Sequence, residues 1–127
     1  MARNLHIAVF DTAEENTYKS EGENSGYNKI STSATPMDGI RKVRDAVLNP
    51  SQVDTLYIIE ICNDNSTPQI RKLQSLYNAK ERLDSKSDLL ITCNEETLKI
   101  AKEWKMNAMS IDNREEIRKY IKDNFSP

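Results

Sequence analysis

Four short polar clusters, each at the end of an apolar run, are where this chain can site chemistry: Asp11-Thr12, Asn63-Asp64, Asn94-Glu95 and Asp112-Asn113. Carboxylates gathered on one edge can hold Mg²⁺ or Mn²⁺ through oxygen, and such an ion activates water and steadies a leaving phosphate oxygen. The candidate metal ligands are therefore Asp11, Glu95 and Asp112. The candidate ligand-binding set is Asp11, Thr12, Asn63, Asp64, Asn94 and Glu95, joined by Arg41 and Arg44. These arginines belong to the cluster Arg41-Lys42-Arg44, which is either a solvated helix face or a phosphate contact. Each acidic cluster also has a local explanation. Asn94, Thr67 and Asp112 or Asn113 suit helix N-caps, and Glu95 and Glu96 suit a first turn at the positive end of a helix dipole.

The elements that must position these groups are most legible from Asp88 to Asp112. Leu89 to Cys93 is a continuous apolar, β-favouring run, as in a strand covered on both faces. Asn94 stops it and caps a helix whose stripe holds Leu98, Ala101 and Trp104, with Asn107 as a left-handed stop before a strand at Ala108 to Ile111. This is a βαβ unit, so the sheet is expected to be parallel with right-handed crossovers. Leu5 to Phe10 is another buried strand, closed by Asp11, and Leu56 to Cys62 a third. Glu60 stands out within it, as an acid either at an exposed edge or in a pocket that raises its pKa. His6 is the only histidine. Between apolar neighbours it reads as a satisfied structural residue, with no second histidine to complete a metal pair.

Helices are expected from Met37 to Leu48, from Thr67 as cap and Pro68 to about Arg82, and from Arg114 to Asn124. Residues 12 to 36 are polar and show no helical stripe. They read either as an inserted β-hairpin, with strands at Asn16–Lys19 and Tyr27–Thr32, or as a mobile loop over a site or partner surface. A hairpin would leave unpaired edges, which makes a homodimer the working expectation. Since the segment holds no stripe residue, the core should also survive deletion of Ser20 to Asn28.

The expectation is a single α/β domain: a three-layer sandwich on a mostly parallel four-stranded sheet. In the order 2-1-3-4, the runs at Leu5 and Leu89 would be neighbours, with a crevice where the winding reverses. The length of 127 residues suits one domain. Eighteen basic and 20 acidic side chains give a formal charge of -2, so no global field recruits nucleic acid or an acidic membrane. No apolar run approaches the roughly 20 residues of a membrane span. Met1-Ala2-Arg3-Asn4 leads into a strand rather than a secretory leader, so a cytoplasmic location is the expectation. Cys62 and Cys93, far apart and outside any CxxC, are expected buried and reduced. Without GxGxxG, GxxxxGK[ST] or GxSxG, dinucleotide dehydrogenase, P-loop kinase and α/β-hydrolase readings are set aside.

LHIAVFDTAEEN and LLITCNEETLKIAKEWKMNAMSID resemble the first and last metal-binding segments of PIN-like nucleases, including the NYN branch. The likeness covers about a third of the chain. It implies a metal-ligating role for Asp11, and for a second acid whose position here is taken by Asn94, with Glu95 beside it. Two functions follow. The first is a non-catalytic Rossmann-like module binding a nucleotide-like small ligand or a protein partner in the crevice, which net acidity and Asn94 favour. The alternative is a PIN-like Mg²⁺- or Mn²⁺-dependent ribonuclease, with RNA as substrate, Asp11 and Glu95 on the ion and Arg41 or Arg44 on the backbone.

Overall fold

In a computed structural model, residues 3–49, 53–61, 69–83 and 87–125 are described. Strands and helices alternate throughout: β1 (Arg3–Ala8), α1 (Thr12–Ser25), β2 (Lys29–Thr32), α2 (Pro36–Leu48), β3 (Asp54–Glu60), α3 (Gln69–Lys80), β4 (Asp88–Cys93), α4 (Glu95–Glu103), β5 (Ala108–Ser110) and α5 (Arg114–Asp123). All strand pairs are parallel and the order is β2-β1-β3-β4-β5. Among the described residues no helix is long and apolar enough to cross a membrane.

The apolar strands are explained by two cores, one on each face of the sheet. Leu5, Ile7, Leu56, Ile58 and Leu90 pack with Tyr18 of α1 and Ile117 and Ile121 of α5. Ala8, Tyr57, Ile59, Ile91 and Cys93 pack on the other face with Ile40 and Val43 of α2, Leu73 and Leu76 of α3 and Ala101 of α4. Alternate side chains thus point to opposite cores, and a strand between two helical layers has no solvent face to leave polar. The α/β sandwich is as expected, with one strand more.

The strand order 2-1-3-4 is overturned. β1 pairs with β3, from Arg3 opposite Asp54 to Ala8 opposite Ile59, and β3 in turn separates β1 from β4. The flank of β1 that the Leu56 run was expected to occupy is taken by β2, a strand absent from that order. Winding therefore reverses between β1 and β3, and the crevice rule for doubly wound sheets moves the candidate site there. Glu60 is consequently not on an edge strand. It ends the central strand and is 3% exposed.

Residues 12 to 36 form neither an inserted hairpin nor a loop. They hold α1, β2 and the start of α2. Asp11 accepts from the amides of Ala13 and Glu14, and Gly26, in the left-handed conformation, closes the other end. The helix buries one narrow line, Glu14, Tyr18 and Gly22, spaced i, i+4, i+8. Only Tyr18 on that line is large and apolar, so no amphipathic stripe is visible. A Cβ on Gly22 would lie 2.5 Å from Leu5 Cδ2, so the missing side chain is what lets α1 settle on β1. The unpaired hairpin edges that suggested a homodimer do not exist.

Smaller corrections concern helix ends. The left-handed residue after α4 is Lys105 (φ 59), not Asn107, whose amide instead donates to the Tyr120 hydroxyl. Asn113 stands at the N-cap of α5 without a side-chain capping bond, and Asp112 does not supply one. Cys93 is a buried free thiol whose pKa is raised to about 11, by burial and then by the Glu95 charge. Cys62, Asn63, Asp64, Thr67 and Pro68 lie outside the described residues.

Candidate functional site

At the carboxyl edge, the register puts Glu60 of β3 beside Thr92 of β4, and Thr92 beside Met109 of β5. Leu56 and Ile58 face the α1 and α5 core, so two-residue alternation turns Glu60 to that side as well. Glu14 enters from the first turn of α1, 3% exposed, and accepts from the Tyr18 hydroxyl at 2.9 Å. Burial, then this bond to the Glu14 carboxylate, pushes the Tyr18 phenol far above its ordinary range, and the Glu60 charge adds to the rise. Thr92, 1% exposed, keeps a buried Oγ1 with no hydrogen-bond partner among the described residues.

Arg114, the first residue of α5, spans the rim. Its guanidinium lies 3.5 Å from Asp11 Oδ2 and 3.7 Å from Glu14 Oε1. A cation at a helix N-terminus opposes the dipole, so its place is explained by the two carboxylates it meets. The structure thus assembles Asp11, Glu14, Tyr18 and Arg114 at the rim, with Glu60 ending β3 beneath them and Thr92 beside Glu60 on β4, one strand beyond the switch point.

The other expected residues are dispersed or otherwise engaged. Asp11 caps α1 with Oδ1 while Oδ2 meets Arg114. Asn94 caps α4, accepting from the Thr97 amide at 2.9 Å, and Thr97 donates its hydroxyl to Gln69. Thr12, Glu95 and Asp112 are exposed. Arg41 pairs with Asp38 at 3.0 Å, and Arg44 lines an outer groove between α2 and α3 with Arg71 and Arg82. Among the described residues, no group of three or more His, Cys, Asp or Glu side chains is placed to hold a metal ion.

Glu14, Tyr18, Thr92 and Arg114 were not among the expected site residues. The available signals were an acid four residues before a tyrosine on an otherwise polar helix, and an arginine where a helix start favours an acid.

His6 lies apart, on the α2 face of β1. Nδ1 is 2.7 Å from Ser31 Oγ and Nε2 is 2.6 Å from Ser33 Oγ, which bears out the satisfied structural residue. Burial, then the Lys42 charge, lowers its pKa to about 4. Because the folded value lies below the unfolded 6.5, the ring's contribution to stability is whole above pH 6.5 and is lost as pH falls through 4. Between these values the extra stability loss should approach about 1.4 kcal/mol per pH unit. Urea midpoints across this window should fall less steeply in His6→Gln than in the parent. Parallel curves would show that His6 does not titrate this way.

Against known proteins, the chain is similar in fold to a de novo designed Rossmann fold protein, with a TM-score of 0.56 over 100% of both chains at 16% identity. That likeness defines a Rossmann-like α/β protein and nothing finer. No family model and no curated protein matches the chain.

Proposed function

We propose that this protein is a non-catalytic Rossmann-like module that binds a nucleotide-like small molecule at the β1/β3 switch point. The observation that carries the proposal is the buried polar layer of Glu14, Tyr18 and Glu60, continued by Thr92 beside Glu60 on β4. Burying such groups costs free energy that a core of aliphatic side chains would avoid. Carboxylates suit sugar hydroxyls, the Thr92 hydroxyl awaits a partner, and Arg114 can turn from Asp11 to a phosphate. Recession of these groups beneath the rim favours a small molecule over a protein surface. The engagement of Asp11 in a cap and an ion pair supports binding over metal-dependent hydrolysis of RNA.

The test is calorimetric titration of AMP, ATP and NAD⁺ into the full chain with EDTA present. At least one should bind, and Arg114→Ala should weaken it on the order of tenfold, as for loss of a hydrogen bond to a charged group. Absence of binding by all three would overturn the proposal. Binding that needs Mn²⁺, with RNA cleavage, would favour the nuclease instead. Light scattering on the same samples tests for a homodimer, for which the outer edges of β2 and β5 are candidate faces.

A further inference from the structure

A groove of about 930 Å³ runs between α2 and α3, on the side of the sheet away from α1 and α5. Val47 and Leu48, which end α2, and Ala79 in the last turn of α3 supply its apolar surface. Arg44, Arg71 and Arg82 line it as well, with Glu81 as the carboxylate among them. The helices explain why these residues meet. Ile40 and Val43 turn inward, which leaves Arg44 and Leu48, at i and i+4, side by side on an outward face of α2. The groove follows α3, whose 12 residues make about 18 Å of helix at 1.5 Å per residue.

Two features set this strip apart from the rest of the surface. The first is charge. Arg3, Arg41, Arg114 and Arg118 pair with Asp88, Asp38, Asp11 and Glu115. Arg44, Arg71 and Arg82 are the remaining arginines of the chain, and among the described residues they pair with no carboxylate. The second is Leu48. It is 77% exposed, ahead of Phe10 at 50% and Ile70 at 40%. Singly, an exposed leucine or a solvated arginine is ordinary surface. Three unpaired arginines around the most exposed of these apolar side chains, in one concave strip, argue for an occupant.

We propose that this groove docks an acidic amphipathic helix of a partner protein, with its apolar stripe on Val47, Leu48 and Ala79 and its carboxylates on the three arginines. An apolar centre among arginines is the composition of a protein interface, and a groove between two helices receives a third by side-chain packing. Extended peptides are disfavoured, because the open strand edges belong to β2 and β5 and offer no backbone here. Three arginines against Glu81 give the groove a charge of +2 on a chain of -2, so the complement is acidic. A nucleic acid would meet the arginines but leave Leu48 uncovered. It would also find no ring to stack on, since Tyr77 and Trp104 line a separate groove on α3. Glu14, Tyr18 and Arg114 lie on or beside the opposite helical layer, so this surface is independent of the crevice.

The probe is a fluorescein-labelled peptide of about 15 residues, some four turns of helix, with leucine at i, i+3, i+4, i+7 spacing and glutamate elsewhere. Its anisotropy is followed on titration with the full chain, beside a form with glutamine for every glutamate and beside labelled decauridylate. The glutamate peptide should bind saturably and lose affinity with added salt, and the glutamine form should bind about tenfold more weakly. Leu48→Ser should cost about tenfold, as for one leucine no longer buried. Arg44→Ala, Arg71→Ala and Arg82→Ala combined should cost about tenfold or more, while Arg114→Ala should change nothing. The comparison of glutamate and glutamine peptides uses the parent protein, so it does not depend on any variant folding. If the glutamate peptide fails to bind, if its glutamine form binds as tightly, or if decauridylate binds more tightly and loses that binding in the triple-arginine variant, the proposal is overturned, whatever nucleotides do at the crevice.

Discussion

A chain from which Ser20 to Asn28 are deleted and the ends rejoined is expected not to fold. The polar look of this segment suggests an expendable loop, but the structure threads it through the core. The deletion removes the second half of α1, including Gly22 against Leu5. It also removes Tyr27, which is 7% exposed, donates its hydroxyl to the Ile121 carbonyl at 2.6 Å, and packs on Phe125 at 5.1 Å between ring centroids. The Asn28 amide, which donates to the Arg3 carbonyl at 2.7 Å as β2 meets β1, is lost too. Losing one buried aromatic alone costs about 3–5 kcal/mol, comparable with the lower end of whole-domain stability. Circular dichroism with urea titration decides the matter: a cooperative transition at the parent's midpoint would mean the segment is dispensable.

Gly39→Val should be the most damaging single substitution on α2. A Cβ there would lie 2.2 Å from Ala8 Cβ and 2.9 Å from Ile59 Cδ1, and both neighbours sit on central strands that cannot retreat. Overpacking of this kind costs about 3 kcal/mol or more, and a β-branched residue gains little helix propensity in return. Gly39→Ala, which meets the same contact but gains about 1 kcal/mol of propensity over glycine, should be intermediate. Equal urea midpoints for the parent and Gly39→Val would show that α2 can lift off the sheet freely.

Legibility of the sequence followed apolar patterning. β3 and β4 could be read because strands between two helical layers must be apolar on both faces, and α2, α4 and α5 because their stripes recur every three or four residues. α1 could not, and β2 was legible only as the second arm, Tyr27–Thr32, of the expected hairpin. α1 buries an acid, a tyrosine and a glycine, and β2, an edge strand of four residues, buries almost nothing. Reading that strand as a hairpin arm, and not as the parallel neighbour of β1, changed the topology by sending the next strand to the wrong flank. The candidate site was legible only as an edge. Asp11 was found through its place after a strand, whereas Glu14, Thr92 and Arg114 acquire meaning from contacts between elements distant in sequence.

All four strand pairings are parallel, and this has a consequence for how the chain finds its structure. With no hairpin to zip from, every ladder waits for a helix-bearing loop to close, and closure entropy must be met before the contacts repay it. The run from β3 through β4 to β5 does this by consecutive short crossovers. β1 and β3 must instead meet across all of α1, β2 and α2. The β3–β5 half should therefore assemble first, with β1 docking late. Pulse-labelled hydrogen exchange should protect Ile58 and Leu90 before Ile7, and simultaneous protection would refute that order. Until β1 docks, the inner edge of β3 is an open apolar template, so crowding during refolding should cost yield at this step more than at any other.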